Sequence, residues 1–165
     1  MKKDILSQNR RALKWIRIWL GLMMGVLVGS AISTIPLQLQ IEFVLDKMPS
    51  NNAVYEWLQM IATSLGEAYQ NFPFLFYGLD WLLFAHVVIA LVFIGPYREP
   101  VKNKWVVQWA MLVCVLIIPT ALIAGHFREI PFAWRLIDCS FGIIGLLPLW
   151  LTIRHIKKLE QLNIS

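Results

Sequence analysis

Charge is scarce in this chain. Asp, Glu, Lys and Arg make up only 15% of its 165 residues, where a soluble domain carries about 25%. Cysteine is nearly absent as well: Cys114 and Cys139 are the two in the sequence, both inside apolar runs. With no C-x-x-C, the chain has neither a close dithiol for redox exchange nor a zinc-ligand spacing, and both cysteines read as small buried hydrophobes. There is no glycine-rich phosphate loop, no H-E-x-x-H and no G-x-S-x-G, so the common nucleotide, metallohydrolase and serine-hydrolase chemistries have no foothold. Basic runs are not interleaved with an exposed aromatic platform, so nucleic-acid binding is not expected despite a net charge of +5. Nor is there length for a second folded domain.

What the sequence has in quantity is hydrophobic residues, 58% of the total, gathered in four runs of the length that crosses a bilayer, about 20 residues each. They place membrane spans at about residues 18–36, 76–95, 105–125 and 136–153. The expected fold is therefore an all-α integral membrane protein, a four-transmembrane-helix bundle forming one membrane domain over residues 1–165. Residues 1–17 form a basic lead and 154–165 a tail. The first run resembles a secretory leader, with basic residues before it and small ones after, but it is long for one and reads as a signal anchor ended by Pro36.

Basic residues set the orientation. With the N-terminus in the cytoplasm, twelve of the fifteen Lys and Arg fall inside and only Lys47, Arg128 and Arg135 outside, as the positive-inside rule requires. Both termini are then cytoplasmic, in a bacterial-type inner membrane. Trp15, Trp19, Trp81, Trp105, Trp109, Trp134 and Trp150 fall near span ends, where interfacial aromatics belong.

The long outer connector, about 37–75, has its own pattern. After the cap-forming turn Pro49-Ser50-Asn51-Asn52, residues Val54, Trp57, Leu58, Ile61, Leu65 and Ala68 recur at helical spacing, predicting an extra amphipathic helix at about 51–70. It would lie flat in the outer interface or roof the bundle. The preceding LQLQIEFVL alternates like a strand, yet a lone strand leaves its backbone groups unpaired beside lipid, so a short helix is favoured.

Two rows of small residues mark close helix packing. Gly21, Gly25 and Gly29 form a G-x-x-x-G-x-x-x-G row on the first span, expected to receive a helix of the same chain in preference to a second copy. On the last span Gly142 and Gly145 share a face with Asp138, which turns that carboxylate inward. Ala110, Cys114, Ala121 and Gly125 form a similar line on the third span, which Pro119 is expected to kink.

The polar residues gather at the outer end. His126, Arg128, Glu129, Arg135 and Asp138 lie within thirteen residues, and depth along the spans adds Tyr77 and Asp80. Charge so close to hydrocarbon must be neutralised, wetted or used. The candidate cluster is thus Tyr77, Asp80, His126, Arg128, Arg135 and Asp138. A guanidinium keeps its proton, while two carboxylates beside it repel each other, an arrangement suited to carrying a proton, binding a headgroup, or only holding helix ends in register. No metal site and no cofactor is expected. A haem shared by His86 and His126 fails because their depths differ by on the order of 15 Å.

Three functions fit these residues. The first is an accessory, assembly or interaction subunit working by helix packing, whose partners are the lipid bilayer and a second membrane protein or a homo-oligomer. The others are a small proton-coupled transporter using Asp80, Asp138 and Arg135, and an enzyme or binder acting on a lipid headgroup through His126 and the two outer arginines. No catalytic motif supports the enzyme, and the first is favoured because it requires least.

Overall fold

The computed structural model describes residues 2–33, 35 and 37–164. The fold is 89% helix, with no strand among the described residues. Its helices are α1 (Lys2–Ser33), α2 (Leu37–Lys47), α3 (Ala53–Asn71), α4 (Tyr77–Val92, entered through a 3₁₀ turn at Pro73–Phe76), α5 (Ile94–Arg98), α6 (Lys104–Phe127) and α7 (Phe132–Ile164). Pro36, expected to end the first span, lies outside the described residues.

Four segments are long and apolar enough to cross a membrane: Leu6–Ser33, Pro73–Arg98, Lys104–Phe127 and Phe132–Leu162. Their surfaces need a nonaqueous solvent. Leu116, Ile123, Ile143, Ile144 and Leu147 are each more than half exposed, and leaving a Leu or Ile in water forgoes about 1.5–3 kcal/mol. Such helices are those of a multi-pass membrane protein in contact with lipid.

The described chain divides into two compact units, Met1–Gly25 with Ala90–Ser165, and Val26–Ile89. In the first, α6 and α7 pack along their length, joined by a loop so short that they run antiparallel. Lys104 Nζ at the start of α6 lies 2.6 Å from Glu160 Oε2 near the end of α7. Buried side chains are supplied by Ala12, Ile16 and Leu20 of α1, Phe93 just before α5 and Pro96 within it, Val106, Val107, Ala110 and Cys114 of α6, and Cys139, Leu149, Ile153, Ile156 and Leu159 of α7. Thr152, also fully buried, is satisfied by donating its hydroxyl to the Pro148 carbonyl at 2.8 Å.

Two of these elements are longer than the hydrophobic runs. The basic lead is helical from Lys2 because nothing before Leu20 breaks a helix, and Ala12, Ile16 and Leu20 fall on one stripe at i, i+4, i+8. The tail likewise continues α7, since Leu149, Ile153, Ile156 and Leu159 carry the apolar period past the bilayer-length run. The turn between α5 and α6 is also packed. Pro100 is buried, and the Asn103 amide donates to the carbonyls of Gly95 and Glu99 at 3.2 and 3.1 Å.

In the second unit the connector forms α2 and α3, which pack on each other. The strand-like LQLQIEFVL is helix α2. Asn52 caps α3: its backbone is extended and its side-chain oxygen accepts the Tyr55 N–H at 2.8 Å, satisfying one of the orphan donors of the first turn. Leu58 is buried and Trp57, Ile61, Leu65 and Ala68 are half-buried, whereas Glu56, Gln59 and Glu67 are exposed. Val54, assigned to the same stripe, is 42% exposed because it lies in the first turn, ahead of the contact. At the far end the rings of Tyr69 and Phe76 meet edge-on at 5.0 Å.

Candidate functional site

The polar cluster between α6 and α7 is built around how α6 stops. The N–H of Ile130 bonds the Gly125 carbonyl at 2.9 Å and that of Glu129 bonds the His126 carbonyl at 3.2 Å. This is the paired closure of a Schellman cap, which needs a left-handed residue at its fifth position. That residue is Glu129, with φ of 56°, where glycine is the usual occupant. Pro131 then opens the way into α7.

Arg135 belongs to this cap. Its Nε–H donates to the Ile130 carbonyl at 2.7 Å. Its aliphatic stem lies against Gly125, where an added Cβ would fall 2.8 Å from Arg135 Cγ, so Gly125 makes room for the arginine. Arg135 therefore ties the first turn of α7 to the loop. Among the described residues it forms no ion pair with Asp138, although the two are i, i+3 neighbours.

Asp138 is half-buried and has no hydrogen-bond or ion-pair partner among the described residues. It shares its face of α7 with Gly142 and Gly145, and that face is turned to α6. A Cβ on Gly142 would lie 2.5 Å from the Cys114 carbonyl oxygen, and one on Gly145 would lie 3.0 Å from Cys114 Sγ. This small-residue row is thus filled by the facing helix. His126 and Arg128 are exposed, the imidazole ring lying 5.8 Å from that of Phe127. Pro119 lies inside α6, and Thr120 beside it returns its hydroxyl to the Leu116 carbonyl at 2.7 Å.

Tyr77 and Asp80 belong to the other unit. Both are exposed on the first turns of α4, where with Trp81 and Phe84 they line a shallow groove of about 220 Å³. The Trp81 ring meets those of Tyr77 and Phe84 edge-on at 6.0 and 5.7 Å, the arrangement of an interfacial aromatic belt. His86, on the same helix, bonds the Leu82 carbonyl through Nδ1 at 2.8 Å.

The glycine row of α1 is open. Among the described residues, a Cβ added at Gly21 or Gly25 in the first unit, or at Gly29 in the second, would meet nothing within 4 Å. The two glycine rows of this protein therefore differ in kind, one closed by α6 and one bare.

A second feature was not legible as a site. Arg10, Lys14 and Arg17 on α1 line a groove of about 350 Å³ together with Leu13, Ile18 and Tyr97. Its trace in the sequence is three cations at i, i+4 and i+7. Tyr97 gave no signal, because its position opposite α1 is a tertiary fact. Among the described residues no group of three or more His, Cys, Asp or Glu side chains could hold a metal ion. No known protein family, curated protein or solved structure matches this chain.

Proposed function

We propose that this protein is a small inner-membrane interaction subunit, of accessory or assembly type, which binds the transmembrane helix of a larger membrane protein through the glycine face of α1. The supporting observation is the bare row at Gly21, Gly25 and Gly29. Gly in a helix interior costs about 0.5–1 kcal/mol relative to Ala, so three at four-residue spacing are an expense that close approach of another backbone would offset. The chain uses the same device at Gly142 and Gly145 and fills it there with α6. In this reading the four spans form a bundle with both termini cytoplasmic, following the distribution of Lys and Arg. Helix α3 lies in the outer interface with Glu56, Gln59 and Glu67 toward water.

Gentle purification of the full chain followed by native mass spectrometry tests the reading. A larger membrane protein is expected to be retained, and to be lost when Gly25→Leu fills the row. Retention of nothing but lipid, or of a partner indifferent to Gly25→Leu, refutes it. A homodimer broken by Gly25→Leu would replace the partner by a second copy.

A second reading, proton-coupled transport, draws support from Asp138, a half-buried carboxylate without a described partner on a bilayer-length helix. The bond from Arg135 to Ile130 weighs against a carrier in which that guanidinium holds a carboxylate.

A further inference from the structure

We infer that the basic groove between α1 and Tyr97 is a binding site for the phosphate headgroup of an anionic lipid. The groove lies wholly within one compact unit. Its volume, about 350 Å³, is that of a small-ligand site. Arg10, Lys14 and Arg17 stand on one face of α1 at spacings where like charges repel, and among the described side chains none of the three has a carboxylate partner. Some other cations of the same unit are engaged, Lys104 with Glu160, Lys102 with Glu99, and Arg154 over the Trp150 ring, whereas Arg10, Lys14 and Arg17 are the ones that line a common groove. A face that gathers three unneutralised cations is completed by an anion.

Two further features select a lipid over a free ion. The Arg17 guanidinium sits over the Tyr97 ring, 5.8 Å from its centroid, which fixes one wall of the groove while leaving the guanidinium edge free to donate to phosphate. Leu13 and Ile18 supply apolar wall beside the cations, an amphipathic lining matched to a headgroup and the first carbons of its chains. The depth agrees as well. Trp15 and Trp19, stacked at 6.4 Å, occupy the same turns of α1, and tryptophan marks the headgroup level of a bilayer.

The full chain, delipidated in detergent, is titrated with phosphatidylglycerol, phosphatidylcholine or inorganic phosphate, and bound species are counted by native mass spectrometry. Phosphatidylglycerol is expected to bind on the order of a hundredfold more tightly than phosphatidylcholine, about fivefold per cation. Replacing Arg10, Lys14 and Arg17 with Gln is expected to abolish that preference. Replacing Arg154, Lys157 and Lys158 with Gln removes the same charge elsewhere and is expected to keep it. Lys14→Gln alone, at an exposed position, is expected to cost about fivefold, so the outcome stands even if the triple variant loses helicity. The inference is overturned if both triple variants lose the preference equally, if Lys14→Gln changes nothing, or if the wild type does not discriminate between the lipids. It is also overturned if inorganic phosphate competes as well as phosphatidylglycerol, which would make this a free-phosphate site.

Discussion

Gly142→Ala adds a single methyl group at the tightest point between α6 and α7. The new Cβ would lie 2.5 Å from the Cys114 carbonyl oxygen and 3.4 Å from Ile117 Cβ. The first distance is about 0.9 Å short of ordinary contact. The obstruction is a backbone oxygen inside a helix and cannot rotate aside, so α7 must withdraw by nearly 1 Å. A gap of that size forfeits about a quarter to a half of each dispersion contact it opens. Overpacking costs about 1–3 kcal/mol, and a backbone obstacle puts this site at the upper end. Ala regains up to about 1 kcal/mol of helix propensity over Gly. The net expectation is destabilisation by about 2 kcal/mol, close to thirtyfold in the unfolding equilibrium. Gly25→Ala is the matched control: its Cβ would meet nothing within 4 Å, so it should stabilise the isolated protomer by about 0.5–1 kcal/mol. Unfolding of purified protomers in mixed micelles of increasing denaturing-detergent content, read by tryptophan fluorescence, measures both. Equal stability of Gly142→Ala and wild type, or equal losses in the two variants, would refute the assignment of one row as filled and the other as open.

Glu129→Gly should stabilise the protein by about 1 kcal/mol, raising Tm by roughly 2–4 °C, because Gly takes the left-handed backbone of the α6 cap without strain. No gain in thermal unfolding would mean that Glu129 earns its place by another contact. Asp138→Asn should leave partner retention intact and raise stability by on the order of 1 kcal/mol, since it neutralises a half-buried charge with no described partner. Proton flux in reconstituted vesicles that disappears with this substitution, while the fold and the partner persist, would instead establish the transport reading.

The secondary structure was readable wherever a local signal existed. The apolar runs set the four long helices, and the turn ending at Asn52 announced the start of α3. Two helices run on past the hydrophobic runs. Residues 2–17 and 154–164 are helical through stripes such as Ala12-Ile16-Leu20 and Ile153-Ile156-Leu159, whose period continues after the bilayer-length run has ended.

The candidate site was less legible, because its residues could be placed by depth along a helix but not by the partner each would choose. Arg135 has an Asp three residues away and bonds a carbonyl five residues back instead, since the cap of α6 brings that carbonyl within its reach. Rows of small residues on α1 and α7 look alike in the sequence but have different environments, one with nothing described within 4 Å and one pressed against Cys114. Composition and period set the solvent and the number of long apolar helices, because those depend on each residue's own hydropathy and on 3.6 residues per turn. Which glycine row is filled, what Arg135 holds and where Tyr97 meets the cations of α1 depend on distances between segments far apart in the chain. Those only the tertiary structure supplies.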